Sequence, residues 1–360
     1  MVFNKLKALL LMLTVTLIFN GCGSENSYDG QNGLLSGSSA KATLDESVKK
    51  IFEDVIYKDI NETYNKSVEL TSIIEDLNTI TNENNLKVAQ DTFRELIILY
   101  KRVETVYVAG YNDDSMRDIA EFYLEHYVKG SKSQDIANDL DSVFSGTKGL
   151  VANSLKGITA LEYTLFGNRQ SSTELLTKMN QNRLDAALLM INKISAHLDE
   201  VKDYYSNIST FNTSGEDSVN ALLNVLVQQA FNLREWRIGE AAGLTLKYKD
   251  NPDPKRLEYY YSSYSLESLK EILQTHKRVI QSGLSDIASE GSTSSELKAI
   301  SDAVDESLLI CESYAGLIDD ELTSEKTRNL FESVRTIQNN YTALITGLNF
   351  KQDILEADGD

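Results

Sequence analysis

No proline occurs before residue 252, and the only two in the chain, Pro252 and Pro254, fall together. Proline is the residue that stops helices most decisively, so a long proline-free stretch leaves helix as the natural state wherever the apolar pattern asks for it. It does ask for it. Leu44, Val48, Ile51, Phe52, Val55, Ile60, Tyr64 and Val68, then Ile73, Ile74 and Leu77, recur at helical spacing with acidic residues between them. No run of alternating β-branched residues appears anywhere in the chain. The fold class that follows is all-α.

The same pattern divides the chain. Asn82-Glu83-Asn84-Asn85 reads as a turn cluster, followed by a helix through Phe93, Leu96, Ile97, Tyr100, Val103 and Val106 that ends near Gly110. Residues 111–149 read as shorter, less regular helices. A central helix runs to Gly167 and a long one from about Thr173 to Tyr205. Thr210 to Gly215, small and polar, is the best boundary between domains. Beyond it, helices are expected over roughly 218–246, 264–282, 295–318 and 324–348, with Ser265 as a plausible N-cap. The expected organisation is two helical-bundle halves, residues 43–210 and 216–360.

The N-terminus reads as a targeting segment. Lys5 and Lys7 precede an apolar run from Ala8 to Phe19, and Leu17-Ile18-Phe19-Asn20-Gly21-Cys22 resembles a bacterial lipoprotein signal, with cleavage before Cys22 and acylation of its thiol. Residues 1–21 are then a signal peptide, and 22–42, rich in Gly, Ser, Asn and Gln, a flexible tether. The expected location is the cell envelope, on the outer membrane facing the periplasm or on the cell surface, with the membrane as a partner through Cys22. Removing the signal removes Lys5 and Lys7 and no acids, taking the formal charge from −19 to −21. A surface so acidic disfavours nucleic acid as a partner. Cys311 is then the remaining thiol, expected as a small buried hydrophobe.

The stretch that carries chemistry is Leu155 to Gly167. Leu155, Ile158, Leu161 or Glu162, and Leu165 share a helical face, and Gly167 closes it. Glu162 is a carboxylate among apolar neighbours, which is costly unless something pairs with it or coordinates it. Catalytic signatures are missing. The three histidines, His126, His197 and His276, lack the i, i+4 pairing of a zinc peptidase. None carries a glutamate three residues earlier, as a ferritin-like site needs. His197-Leu198-Asp199-Glu200 does place His before Glu at i, i+3, a spacing that Glu-rich surface helices also produce by chance.

Gly157, Glu162, Tyr163, Leu165, Phe166 and Gly167 resemble the Gly-x-His-x-x-Glu signature of the imelysin-like family, with Thr159 standing where the family has histidine. Phe93 to Tyr111 and Gln229 to Gly243 are similar to further family segments. Glu258, Ser262, Ser265 and Leu266 match its Glu-Ser-x-x-Ser-x-x-Ser-Leu segment, with Tyr259 in place of the first serine. The resemblance spans about residues 45–350. It implies two helical bundles with the motif near their interface, a periplasmic or surface protein associated with iron uptake, and an old peptidase label that the residues do not support.

For Glu162 three readings stand. In one, Glu162, Thr159 and Glu258 ligate iron or another divalent cation through oxygen, with Ser262 as a further donor. In the second, Glu162 pairs with Arg234 or Arg237. In the third, it lies partly exposed at a groove. Gly157, Arg234, Arg237, Ser262 and Ser265 form the candidate ligand-binding set, and Tyr259, Tyr260, Tyr261 and Tyr264 line either a groove or a packing interface. The leading expectation is a non-enzymatic envelope lipoprotein in metal acquisition, with a metal ion or an uptake-system protein as partner. The alternative is an interaction or scaffold protein that has lost the metal site, and a metallopeptidase comes last.

Overall fold

The computed structural model describes residues 38–119, 131–207, 211 and 215–353, and every regular element among them is helical. The signal segment, Cys22, His126 and most of the 210–215 boundary lie outside the described residues. α1 (Ser38–Ile51) begins within the stretch read as tether and runs through a π-helical turn at Phe52–Tyr57 into α2 (Lys58–Thr79). Asn82 then caps α3 (Glu83–Thr105), its side chain accepting from the Asn85 amide at 2.8 Å. The Asn-rich cluster is therefore one cap plus the first turn of a helix. So short a link makes α2 and α3 adjacent partners, and α2 packs on both α3 and the later α9.

α4 (Val108–Asn112), α5 (Asp114–Ile119) and α6 (Ser131–Phe144) are the shorter helices expected here. A 3-10 turn at Asn153–Leu155 leads to α7 (Ile158–Phe166). The helix expected from Thr173 is broken in two. α8 (Ser172–Leu176) opens with a capping box between Ser171 and Glu174, and α9 (Gln181–Tyr204) restarts under an Asn180 cap.

α10 (Gly215–Asn232) continues through a π-helical turn, Leu233–Gly239, into α11 (Glu240–Ala242). The two prolines stand in the loop that follows, where Pro254 opens a 3-10 turn. α12 (Ser265–Val279), another π turn (Ile280–Leu284) and α13 (Ser285–Glu290) form a second continuous run. α14 (Ser294–Glu312) and α15 (Glu325–Gly347) close the chain as a packed pair. Ser265 is the first helical residue of α12, and the cap position is Tyr264, with no side-chain hydrogen bond. Among the described residues no helix is long and apolar enough to cross a membrane.

The described residues fall in one compact unit, with a continuous apolar core. α12 packs against α3, and α1 against α10 and α13, so elements from both sides of residues 210–215 share neighbours. Cys311 is buried in that core, as expected of a small hydrophobe. Gly283 shows how tight the packing is. A Cβ there would stand 2.6 Å from the Ser47 carbonyl oxygen, so α1 crosses the π turn against bare backbone. Gly283→Ala should lower stability by about 1–3 kcal/mol, read as an earlier midpoint in urea unfolding. An unchanged midpoint would mean that α1 does not rest there.

Candidate functional site

All nine residues of α7 are buried, so it is a core helix rather than one with a single buried face. Its ends need partners, because helix termini leave backbone groups unpaired. Gln90 Nε2 donates to the Leu165 carbonyl at 2.7 Å, and Arg183 donates through Nε to Thr164 O and through Nη2 to Tyr163 O, both at 2.8 Å. Gly157 holds the N-cap, and Gly167 ends the helix at φ +58, ψ −146. Only glycine adopts that conformation without strain.

Glu162 sits in the middle of this helix at 2% exposure. Its Oε1 accepts two hydrogen bonds from Ser262, from the backbone N–H and from the hydroxyl, each at 2.7 Å. The second oxygen has no protein donor among the described residues. Ser262 is brought there by a tight turn in which Tyr259 and Ser263 both take positive φ, at +58. Burial pushes the Glu162 carboxyl up to about 7; the Ser262 bonds and Arg169 work against that, and Glu258 adds to it.

Neither Arg234 nor Arg237 pairs with Glu162, so the expected ion pair is corrected. Arg234 holds Glu235 and Gln338. Arg237 enters a closed buried cluster with Lys101, Glu104 and Glu258. Lys101 Nζ donates to Glu258 Oε1 at 2.6 Å and also to Glu104, while Arg237 Nε donates to Glu258 Oε2 at 2.8 Å and its Nη2 to Glu104. Each carboxylate accepts from both cations, and all four side chains are at most 5% exposed. Burial alone would raise the Glu258 carboxyl, but the charges of Lys101 and Arg237 outweigh it and hold the group low. Tyr259 completes the packing, with Lys101 Nζ 5.1 Å from its ring centre.

Lys101 and Glu104 were not singled out from sequence, yet a signal existed. They stand at i, i+3 in register with Phe93, Ile97 and Tyr100, on the face of α3 that the apolar pattern sends inward. The π turn at Leu233–Gly239, which carries Arg237 inward, had no such signal.

Thr159, at the position of the family histidine, lines a cavity of about 20 Å³ together with Glu162, Glu258, Lys255 and Tyr259 to Tyr261. That is room for about one water-sized occupant. Among the described residues the Thr159 hydroxyl is buried without a hydrogen-bond partner, as are the Tyr259 and Ser265 hydroxyls. Ser262 does not line the cavity. The tyrosine run divides its roles. Tyr260 stacks under Arg169 at 3.6 Å, and Arg169 in turn pairs with Asp319 and donates to the Tyr260 carbonyl. Tyr261 meets Tyr163 edge-on, with ring centres 4.9 Å apart. His197 Nδ1 lies 3.5 Å from Glu200 on α9, apart from this site.

A family model described as Imelysin matches residues 56–341. The chain belongs to the imelysin family. Two solved structures share the fold of this imelysin chain at 13% identity. One is an imelysin-like protein from Psychrobacter arcticum 273-4, with a TM-score of 0.67 over 87% of this chain and 98% of that one. The other is described as an iron-regulated protein A precursor, from Parabacteroides distasonis ATCC 8503, with a TM-score of 0.68 over 86% of this chain and 95% of that one. No curated protein matches.

The residues at the imelysin motif fit a resident metal poorly. Both Glu258 oxygens already accept from Lys101 and Arg237, and one Glu162 oxygen accepts twice from Ser262, so the second Glu162 oxygen and the Thr159 hydroxyl are what the expected ligand set leaves open. One open carboxylate oxygen beside a hydroxyl is a weak cage even for a hard cation.

Two measurements test this geometry. The folded chain holds the Glu162 proton to higher pH than the unfolded chain, so stability from this group is lost as pH rises from 4.5 toward about 7. Glu162→Gln keeps an acceptor for Ser262 but does not titrate. Its advantage over wild type in unfolding free energy should grow by about 3 kcal/mol between about pH 5 and about pH 8. A constant gap would mean that Glu162 titrates normally. Lys101→Met leaves two buried carboxylates facing one cation and should cost about 3–5 kcal/mol in denaturant unfolding; a loss below about 1 kcal/mol would show that the cluster is solvated.

Proposed function

We propose that this imelysin chain is a non-enzymatic binding protein of the cell envelope, lipid-anchored through Cys22. It serves iron acquisition without a resident metal at its motif. The reading of envelope and anchor rests on the signal-like segment ending at Cys22. The iron association is supported by family membership and by the iron-regulated description of the Parabacteroides protein.

The observation that carries the metal-free reading is the engagement of Glu258 by Lys101 and Arg237. It removes the second carboxylate that a Glu162-centred metal site would need. Binding is favoured over catalysis for a related reason. The Ser262 hydroxyl does donate to Glu162, but Ser262 is 2% exposed and is not among the residues that line the cavity, so its hydroxyl is not presented to that space.

Titration of the purified chain with ferrous, ferric and other divalent ions by calorimetry, with elemental analysis of the protein as isolated, tests the site. The expected result is no stoichiometric binding that Glu162→Gln removes. One-to-one binding lost in that variant would overturn the metal-free reading. Growth of the host under iron limitation tests the role. Deleting the chain should slow growth, and Cys22→Ser should fail to restore it. Growth unaffected by deletion would refute the link to iron.

A further inference from the structure

Arg183 is a buried cation that no carboxylate of the described residues contacts directly, Asp141 acting on it only from beyond ion-pair distance. It is 3% exposed, and its planar guanidinium lies over Phe144, with Cζ 4.5 Å from the ring centre. Nε and Nη2 are held by the two α7 carbonyls, and Nη1 has no protein acceptor among the described residues. Burial lowers its pKa to about 10, which leaves it charged at neutral pH. Buried charges are normally paired, and here no carboxylate of the described residues comes within ion-pair distance.

Arg183 instead lines a cavity of about 350 Å³, large enough for a small organic molecule. Around it stand Lys178, Asp141, Asn168 and Gln170, with Tyr163 and Tyr261 as its aromatic wall. The Tyr163 hydroxyl donates to both Asp141 oxygens, at 2.9 and 3.0 Å, so that carboxylate is already engaged. Lys178 makes no salt-bridge contact among the described residues, though its charge acts on Glu174 at longer range. The charged lining therefore carries a formal excess of one positive charge, in a chain whose formal charge is −19. The first turn of α9, where Arg183 sits under the Asn180 cap, adds positive helix-end potential.

We infer that this cavity binds a small organic carboxylate, its carboxyl group received by Arg183 Nη1 and Lys178 and its other polar groups by Asn168 and Gln170. Arg183 is fixed before the ligand arrives, since two of its three nitrogens are already held and its face is stacked; such a preset fork suits a carboxylate. The two amide side chains offer both donors and acceptors, which favours a ligand that carries hydroxyl or further carboxyl groups. Tyr261 also lines the small cavity beside Glu162, so a molecule bound here would touch a wall shared with the motif. The inference deepens the binding-protein reading and rests on it.

The test is calorimetry of the whole chain with acetate, succinate and citrate, with glucose and inorganic phosphate as comparison ligands. Succinate or citrate should bind with Kd below about 1 mM. Lys178→Glu, at an exposed position, should weaken that binding at least about tenfold while the melting curve stays unchanged. Arg183→Lys, which keeps the charge but not the fork, should weaken it as well. No carboxylate binding, binding unchanged in Lys178→Glu, or equal or tighter binding of phosphate or glucose would each overturn the inference. Neither variant touches Glu162, Thr159 or Cys22, so failure here leaves the proposed function standing, and failure of the metal or growth tests leaves the carboxylate result readable.

Discussion

The closed quartet of Lys101, Glu104, Arg237 and Glu258 is the interaction on which the rest of the site depends. It ties α3, the π turn after α10 and the loop before α12 into one buried knot. Two cations and two carboxylates sum to zero, and each carboxylate is held from both sides, which is the arrangement under which buried charge is tolerable. Glu258 is fixed by the quartet, and the turn that starts there must then present Ser262 to Glu162. The geometry of the motif is thus set from outside the motif.

The state of Glu162 follows from that scaffold. Its neighbours on α7 are core residues, and its nearest charged influences are Arg169 and the already neutralised Glu258. With two hydrogen bonds from a single serine and no paired cation, the carboxyl stays close to the balance between its neutral and charged forms. The same elements that bury it create two neighbouring spaces. One is water-sized and lined by Thr159, the other larger and polar, and Tyr261 stands between them. Arg183 links the larger one to the motif helix, since it caps the α7 carbonyls and faces the cavity with the same side chain.

Much of the fold was legible in the chain because helix formation is a local property. The periodic stripes, the Asn-rich break before Phe93 and the prolines in their loop all act within a few residues of themselves. Glu162 was legible as a buried carboxylate for the same reason, from its apolar neighbours in one helix. Its partner was not. Arg234 and Arg237 were the reasonable candidates, but Arg237 lies in a π turn whose register no spacing rule announces, and it faces Glu104 instead. Ser265 looked like a cap, yet the positive-φ turn at Ser263 moves the helix start so that the cap falls on Tyr264.

By itself the sequence determined the helical class, the position of the motif, the acidic character of the chain and the family likeness. Each of these is carried by residue type and short-range spacing. The tertiary structure decided which charges meet. Lys101 and Glu258 are 157 residues apart, and Arg237 and Glu104 are 133 apart. Pairing over such distances is set by how whole helices pack, and a buried ion joins whichever partner that packing brings within reach.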